Sequence, residues 1–202
     1  MKPKSLILAF DTSVAHCAAA LLSGDTVLAQ RVEPMQKGQA ERLFPLLEEV
    51  LTGGGITWSD LTAIGVGIGP GNFTGIRISV SAARGLALSL GIPAVGVSSF
   101  EAQAIDTPRP VLSLIDARRD QVFVQELSDG PATPPQVIPR SEFAGRTGDT
   151  NTIGPSETVS AVAIARITAN RFTDPTQPRP APLYVRAPDA APPRDPAPVI
   201  LP

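Results

Sequence analysis

The residues of this chain with chemical potential are few. Asp11-Thr12-Ser13 follows the apolar run Leu6 to Phe10, His16 stands three residues further on, and Asp116 follows a second apolar run. His16 could join Asp11 and Ser13 in a Ser-His-Asp arrangement, which only geometry can decide; the plain alternative is a histidine on the surface of a sheet. The alternative role for both carboxylates is to cap a turn. One histidine and one cysteine, Cys17, do not make a zinc site without carboxylates at suitable spacing, so no metal is expected.

The other candidate is Gly65-Val66-Gly67-Ile68-Gly69-Pro70-Gly71-Asn72-Phe73-Thr74-Gly75-Ile76-Arg77. Glycines at a strand-to-helix junction signal unusual backbone angles or a close approach of another group, and free N–H groups at a helix start can hold an anion. The dinucleotide fingerprint G-x-G-x-x-G fails in every register: it would end on Pro70, Asn72 or Thr74. No Gly-Lys-Ser/Thr closes a P-loop. The simpler reading is a tight turn that lets the next helix pack closely.

Elements must position these groups. Residues 5–10, 15–22 and 26–33 read as three strands, the last two joined at Gly24-Asp25, an antiparallel meander. Leu43, Leu46, Leu47 and Val50 give Gln39 to Leu51 an amphipathic helical spacing, with Pro45 inside it, so that helix starts late or kinks. A strand at 62–68 precedes the glycine turn. A helix from Thr74 to Leu90 carries the stripe Ile76, Val80, Ala83, Ala87 and Leu90, and a strand at 94–97 follows. The order βββαβαβ predicts a mixed sheet with helices on its faces. The pattern then restarts with strands at 110–116 and 121–127 and a helix over 156–169; a proline-dense stretch from Asp174 cannot be ordinary helix or central strand. We therefore expect a first lobe over 1–101, a reduced second lobe over 102–172 and a proline-rich arm over 173–202.

Composition narrows the class. At 202 residues and 43% hydrophobic content, the chain can bury about 70% of its surface. A net charge of −2 disfavours a free-standing nucleic-acid footprint. A single cysteine excludes an internal disulfide framework and points to a reducing, cytoplasmic setting. No apolar run is long enough to span a membrane or serve as a signal peptide.

Asp11-Thr12-Ser13, Gly69-Pro70-Gly71-Asn72-Phe73-Thr74-Gly75-Ile76-Arg77, Gly85-Leu86-Ala87, Val97-Ser98-Ser99-Phe100, Asp116-Ala117-Arg118 and Leu183-Tyr184-Val185-Arg186 together resemble the TsaB (YeaZ) family. The resemblance covers most of 5–125 and returns near 182–190. It implies the α/β actin-like ATPase (ribonuclease H-like) fold, with two βββαβα-type lobes, the second reduced. It also implies a non-catalytic, supporting subunit of the complex that makes N6-threonylcarbamoyladenosine in tRNA. Its partners would be a TsaD-like catalytic subunit and a TsaE-like ATPase. tRNA would be reached only through the complex, and the chain could pair with itself when alone. No cofactor and no activity of its own are implied.

In actin-like ATPases, acidic residues at the places of Asp11 and Asp116 hold the nucleotide's metal and phosphates. Here neither turn has the usual glycine, so Asp11, Thr12, Ser13 and Asp116 read as a degenerate nucleotide site. Leu43, Leu47 and Val50, with Val80, Ala83 and Ala87, either cover the sheet or form a seam for the partner. Arg77 and Arg84 share a face of the second helix; they are solvated or structural charges, or else touch the partner or tRNA phosphates. Arg118 and Arg119 carry the same ambiguity. Two other functions stay open: an independent actin-like ATPase or kinase, favoured by tight nucleotide binding, and a hydrolase, which needs a reactive nucleophile near His16.

Overall fold

A computed structural model describes residues 5–130, 133–144, 151–156 and 158–186. The first sheet has the order β3-β2-β1-β4-β5. Strands β1 (Leu6–Asp11), β2 (His16–Ser23) and β3 (Thr26–Pro34) form the antiparallel meander, and β4 (Ala63–Gly67) and β5 (Ala94–Val97) run parallel to β1. The second sheet, β8-β7-β6-β9, repeats the plan. Its strands are β6 (Val111–Asp116), β7 (Gln121–Leu127), β8 (Gln136–Pro139) and β9 (Asn151–Ser156), with β9 parallel to β6. This is the actin-like α/β fold of two lobes, the second reduced.

Helices α1 (Gln39–Gly53) and α2 (Phe73–Leu90) lie on one face of the first sheet. Their inner residues join Leu8, Phe10, Ile64 and Val66 in one core. The apolar strand side chains on that face must be covered, and this consumes the inner stripe of both helices. Pro45 sits within α1 on its exposed side, where solvent can take the carbonyl its missing N–H leaves unpaired.

The opposite face is closed by α5 (Ala161–Arg171), whose Ala163, Ile164 and Ile167 pack with Ile7, Ala9 and Val95. This helix follows the second sheet in sequence yet lies on the first. The reason is chemical: β1 and β4 are apolar on both faces, as parallel-paired central strands must be. The short helix α3 (Ser99–Gln103) links the lobes. Its Gln103 amide donates to Ser113 Oγ and to the carbonyls of Leu114 and Ile153 in the second sheet, while Ser99 N–H donates to the Gly69 carbonyl in the first lobe. The sequence reading missed α3, β8, β9 and α4 (Arg140–Ala144), all short, and placed the start of α5 inside β9.

The glycine turn is explained by what lies against it. Asn72 N–H donates to the Ser13 carbonyl (2.6 Å), and Thr12 Oγ1 donates to the Gly75 carbonyl (2.7 Å). A Cβ at Gly71 would overlap the carbonyl of Ser13, and one at Gly75 the carbonyl of Thr12. Gly69 holds φ +91°, a left-handed conformation that side chains resist. Asn72 caps α2, its Oδ1 accepting from Gly75 N–H at 2.9 Å. The glycines serve close packing between the loop and the end of β1.

Two predictions follow from this packing. Gly75→Ala should destabilise the protein by about 1–3 kcal/mol through overpacking. Gly85→Ala, in the same helix with open space around it, should be neutral or stabilising by up to about 1 kcal/mol; urea denaturation of both variants checks the contrast. The second concerns Glu101, which accepts from Arg171 at 2.6 Å and from Ser98 N–H at 3.0 Å. Burial alone would raise its carboxyl, but Arg171 and Ser98 together hold it below the ordinary 4.5. A lowered carboxyl stabilises the folded state above its unfolded-state value and loses that contribution as pH falls through the folded value. Glu101→Gln should therefore cost about 1 kcal/mol at pH 7, and its gap from the parent should close as pH drops below 4.5, read by denaturation across pH 3–7.

Candidate functional site

A cleft of about 1140 Å³ opens between the lobes. One wall is the β1–β2 turn at Ser13–Ala15 with the loop Pro70–Phe73; the other is the β6–β7 turn at Asp116–Arg119 with Phe123; residues Leu183–Arg186 line it as well.

Of the four residues expected at a degenerate nucleotide site, Ser13 and Asp116 line this cleft, whereas Asp11 and Thr12 are fully buried behind it. The Asp11 carboxylate is turned inward. Its Oδ1 accepts from Ser13 N–H (2.9 Å), Ser13 Oγ (2.9 Å) and His16 Nε2 (2.8 Å). Its Oδ2 lies against Gly67, where a Cβ would collide with it. Asp116 is exposed, and Arg140 Nη2 donates to it at 2.8 Å.

His16 is not on a sheet surface; it is 2% exposed, drawn in by its bond to Asp11. Nor does it address Ser13: both residues donate to the same carboxylate oxygen, so no imidazole faces the serine hydroxyl. A Ser-His-Asp relay needs the histidine between the other two, and here the aspartate occupies that position. Cys17 is buried, and burial, the largest cause, pushes its thiol up to about 11, far from the thiolate form. Among the described residues no group of three His, Cys, Asp or Glu side chains is placed to hold a metal ion, and no helix is long and apolar enough to cross a membrane.

The β6–β7 turn is strained. Arg118, Arg119 and Asp120 hold φ of 59°, 49° and 56°, three successive left-handed residues without glycine. Gln121 N–H closes the turn on the Arg118 carbonyl at 3.0 Å, and Arg140 N–H fastens the Asp120 carbonyl at 2.8 Å.

The helix-face expectations divide. Leu43, Leu47, Val50, Val80 and Ala83 are at most 3% exposed and sit in the core beneath α1 and α2, so the proposed partner seam does not include them. One apolar stripe per helix is present, and the sheet takes it. Ala87 is half-buried; Arg77 and Arg84 are exposed on α2 and flank a small hollow with Pro182. The outward apolar residues are Phe44, 45% exposed, and Leu88, 86% exposed. Leu88 falls off the stripe of Ile76, Val80, Ala83, Ala87 and Leu90, and an apolar residue off the stripe is itself the sequence signal for an outward contact. Arg77 has a further role. Its guanidinium lies 3.7 Å above the Phe73 ring, and its Nε donates to Tyr184 Oη at 2.8 Å, while Tyr184 stacks on Phe73 at 4.8 Å.

With this geometry in place, comparison with known proteins is informative. Residues 26–133 match the family model described as TsaD: tRNA N6-adenosine threonylcarbamoyltransferase. The chain is 38% identical over 125 residues to the tRNA threonylcarbamoyladenosine biosynthesis protein TsaB of Escherichia coli, a match covering 59% of this chain and 54% of that protein. It thus spans about half the length of that curated relative. An uncharacterized protein of Mycobacterium tuberculosis is 33% identical over 207 residues, covering 93% of this chain and 95% of its own. The structure of YeaZ from Pseudomonas aeruginosa superposes with a TM-score of 0.68 at 26% identity, over 89% of this chain and 99% of that one. The glycine loop docked on the Asp11–Ser13 turn, the two-lobed fold and these matches agree: the chain belongs to the TsaB/YeaZ family.

Proposed function

We propose that this chain is a non-catalytic, supporting subunit in the formation of N6-threonylcarbamoyladenosine in tRNA. In this reading it holds a TsaD-type catalytic subunit, and with it a TsaE-type ATPase, in a productive arrangement. tRNA is engaged only through the assembly, the setting is the cytoplasm, and the chain can pair with itself when its partner is absent. The observation that carries the reading is the state of Asp11. One oxygen of its carboxylate is taken up inside the fold by Ser13 and His16, and the other is enclosed against Gly67 without a hydrogen-bond partner, while Asp116 is paired with Arg140. Two carboxylates so engaged are poorly placed to hold a metal–nucleotide complex, which supports a degenerate nucleotide site at Asp11, Thr12, Ser13 and Asp116. The names of the matched family and of the Escherichia coli relative supply the pathway. The outward face of α2, with Arg77, Arg84, Ala87 and Leu88, and Phe44 of α1, is the surface proposed for the catalytic partner. Exposed aromatic and aliphatic anchors rimmed by arginine suit a protein interface.

The deciding measurement is the threonylcarbamoyladenosine content of bulk tRNA, by nucleoside mass spectrometry, in cells depleted of this protein. Its loss on depletion and return with the wild-type gene are expected; an unchanged level under verified depletion overturns the reading, and tight nucleotide binding by the isolated chain would then favour an actin-like ATPase. Leu88→Asp, at a side chain 86% exposed, should weaken binding to the catalytic partner by about tenfold or more while leaving the melting temperature unchanged.

A further inference from the structure

The segment after α5 touches both lobes. Pro180 lies against Gly96 of β5, and Leu183 N–H donates to the Ile68 carbonyl at 2.8 Å. Tyr184 is held on the first lobe by the Phe73 ring and by Arg77. The side chains on either side of Tyr184 turn to the other lobe: Leu183 and Val185 pack against the second-sheet core that holds Phe100, Ile115 and Phe123. Arg186 Nη2 donates to the Ala117 carbonyl and to Gln121 Oε1, and its guanidinium lies 5.9 Å from the Phe123 ring. Helices α3 and α5 also connect the lobes, but neither lines the cleft; residues 183–186 do, with one end on each wall.

We propose that residues 180–186 are a latch that locks the two lobes together across the cleft, and that a partner docking on the outward face of α2 opens it by drawing off Arg77. The second clause rests on the function proposed above; the first does not. The key is Arg77, exposed on the face expected to meet the partner, where its guanidinium both roofs Phe73 and bonds the tyrosine hydroxyl. A carboxylate from a partner would compete for that guanidinium, since a bidentate ion pair outweighs the single bond that the guanidinium makes to a neutral phenol oxygen. Tyr184 is 41% exposed, so the contact on Phe73 and Arg77 lies at the surface, within reach of a docking partner. A surface contact of one stack and one side-chain hydrogen bond opens more readily than the buried core does.

The test uses the full chain with spin labels at Asp25→Cys and Asp129→Cys, one exposed turn on each lobe; the native Cys17 is buried and stays unlabelled. Pulsed-dipolar distance measurement on the parent should give one population. Tyr184→Ala, Arg77→Ala and Arg186→Ala should each add a second. Hydrogen exchange at Leu183 N–H should accelerate by about tenfold in Tyr184→Ala, the scale expected for losing one aromatic stack and one hydrogen bond. Tyr184→Phe, which removes only the hydroxyl, should fall between parent and Tyr184→Ala, and it serves as the readout if a larger truncation fails to fold. Unchanged distances and exchange in Tyr184→Ala/Arg186→Ala would overturn the latch. Adding a TsaD-type subunit to the labelled parent should produce the second population; binding without that change overturns the coupling to Arg77. Failure of any such subunit to bind counts against the proposed function and leaves the variant measurements to decide the latch.

Discussion

The contact on which this protein depends is the close apposition of the glycine loop and the end of β1. At Asn72–Ser13 and Thr12–Gly75 the two segments exchange hydrogen bonds at 2.6 and 2.7 Å, with backbone so near that a methyl group at Gly71 or Gly75 would overlap a carbonyl. Buried backbone groups must be paired, and here they pair with each other. The contact sets where α2 begins and fixes α2 over the sheet, and its cap at Asn72 follows from it. It also leaves Asp11 enclosed.

That enclosure has a chemical consequence. A carboxylate at the end of the first strand can serve a ligand only if it faces outward. In this chain the turn folds back on it, and Ser13 and His16 satisfy one oxygen from three directions. Asp11 thus acts as an internal fastener. On the second lobe the β6–β7 turn holds Arg118, Arg119 and Asp120 in left-handed conformations, pinned by Arg140. On both walls of the cleft the turn is fastened by contacts within the fold.

The lobes are stitched more thoroughly than their sheets suggest. Helix α5 crosses back to cover the first sheet, Gln103 of α3 reaches three acceptors in the second lobe, and the chain returns again through Leu183 to Arg186. Each crossing answers a local demand: an apolar sheet face, buried polar groups of β6 and β9, an open cleft rim. Together they make one body of a small second lobe that has little core of its own.

Much of this was legible from residue order alone. The meander β1 to β3, the amphipathic α1 and α2 and strands β4 to β7 follow from apolar periodicity and turn chemistry, which act over a few neighbouring residues. The short β8, β9, α3 and α4 carry too few residues to show a period. Tertiary structure alone decided which way each side chain faces. Leu43, Leu47, Val50, Val80 and Ala83 look the same whether they meet a sheet or a partner, and the sheet claimed them. Asp11, His16 and Ser13 have the composition of a hydrolase and the geometry of a buried clasp. Tyr184 meets Phe73 and Arg77 across more than a hundred residues. Periodicity is local and so is written in the sequence; direction and encounter depend on what else the chain brings to the same place, and only folding supplies that.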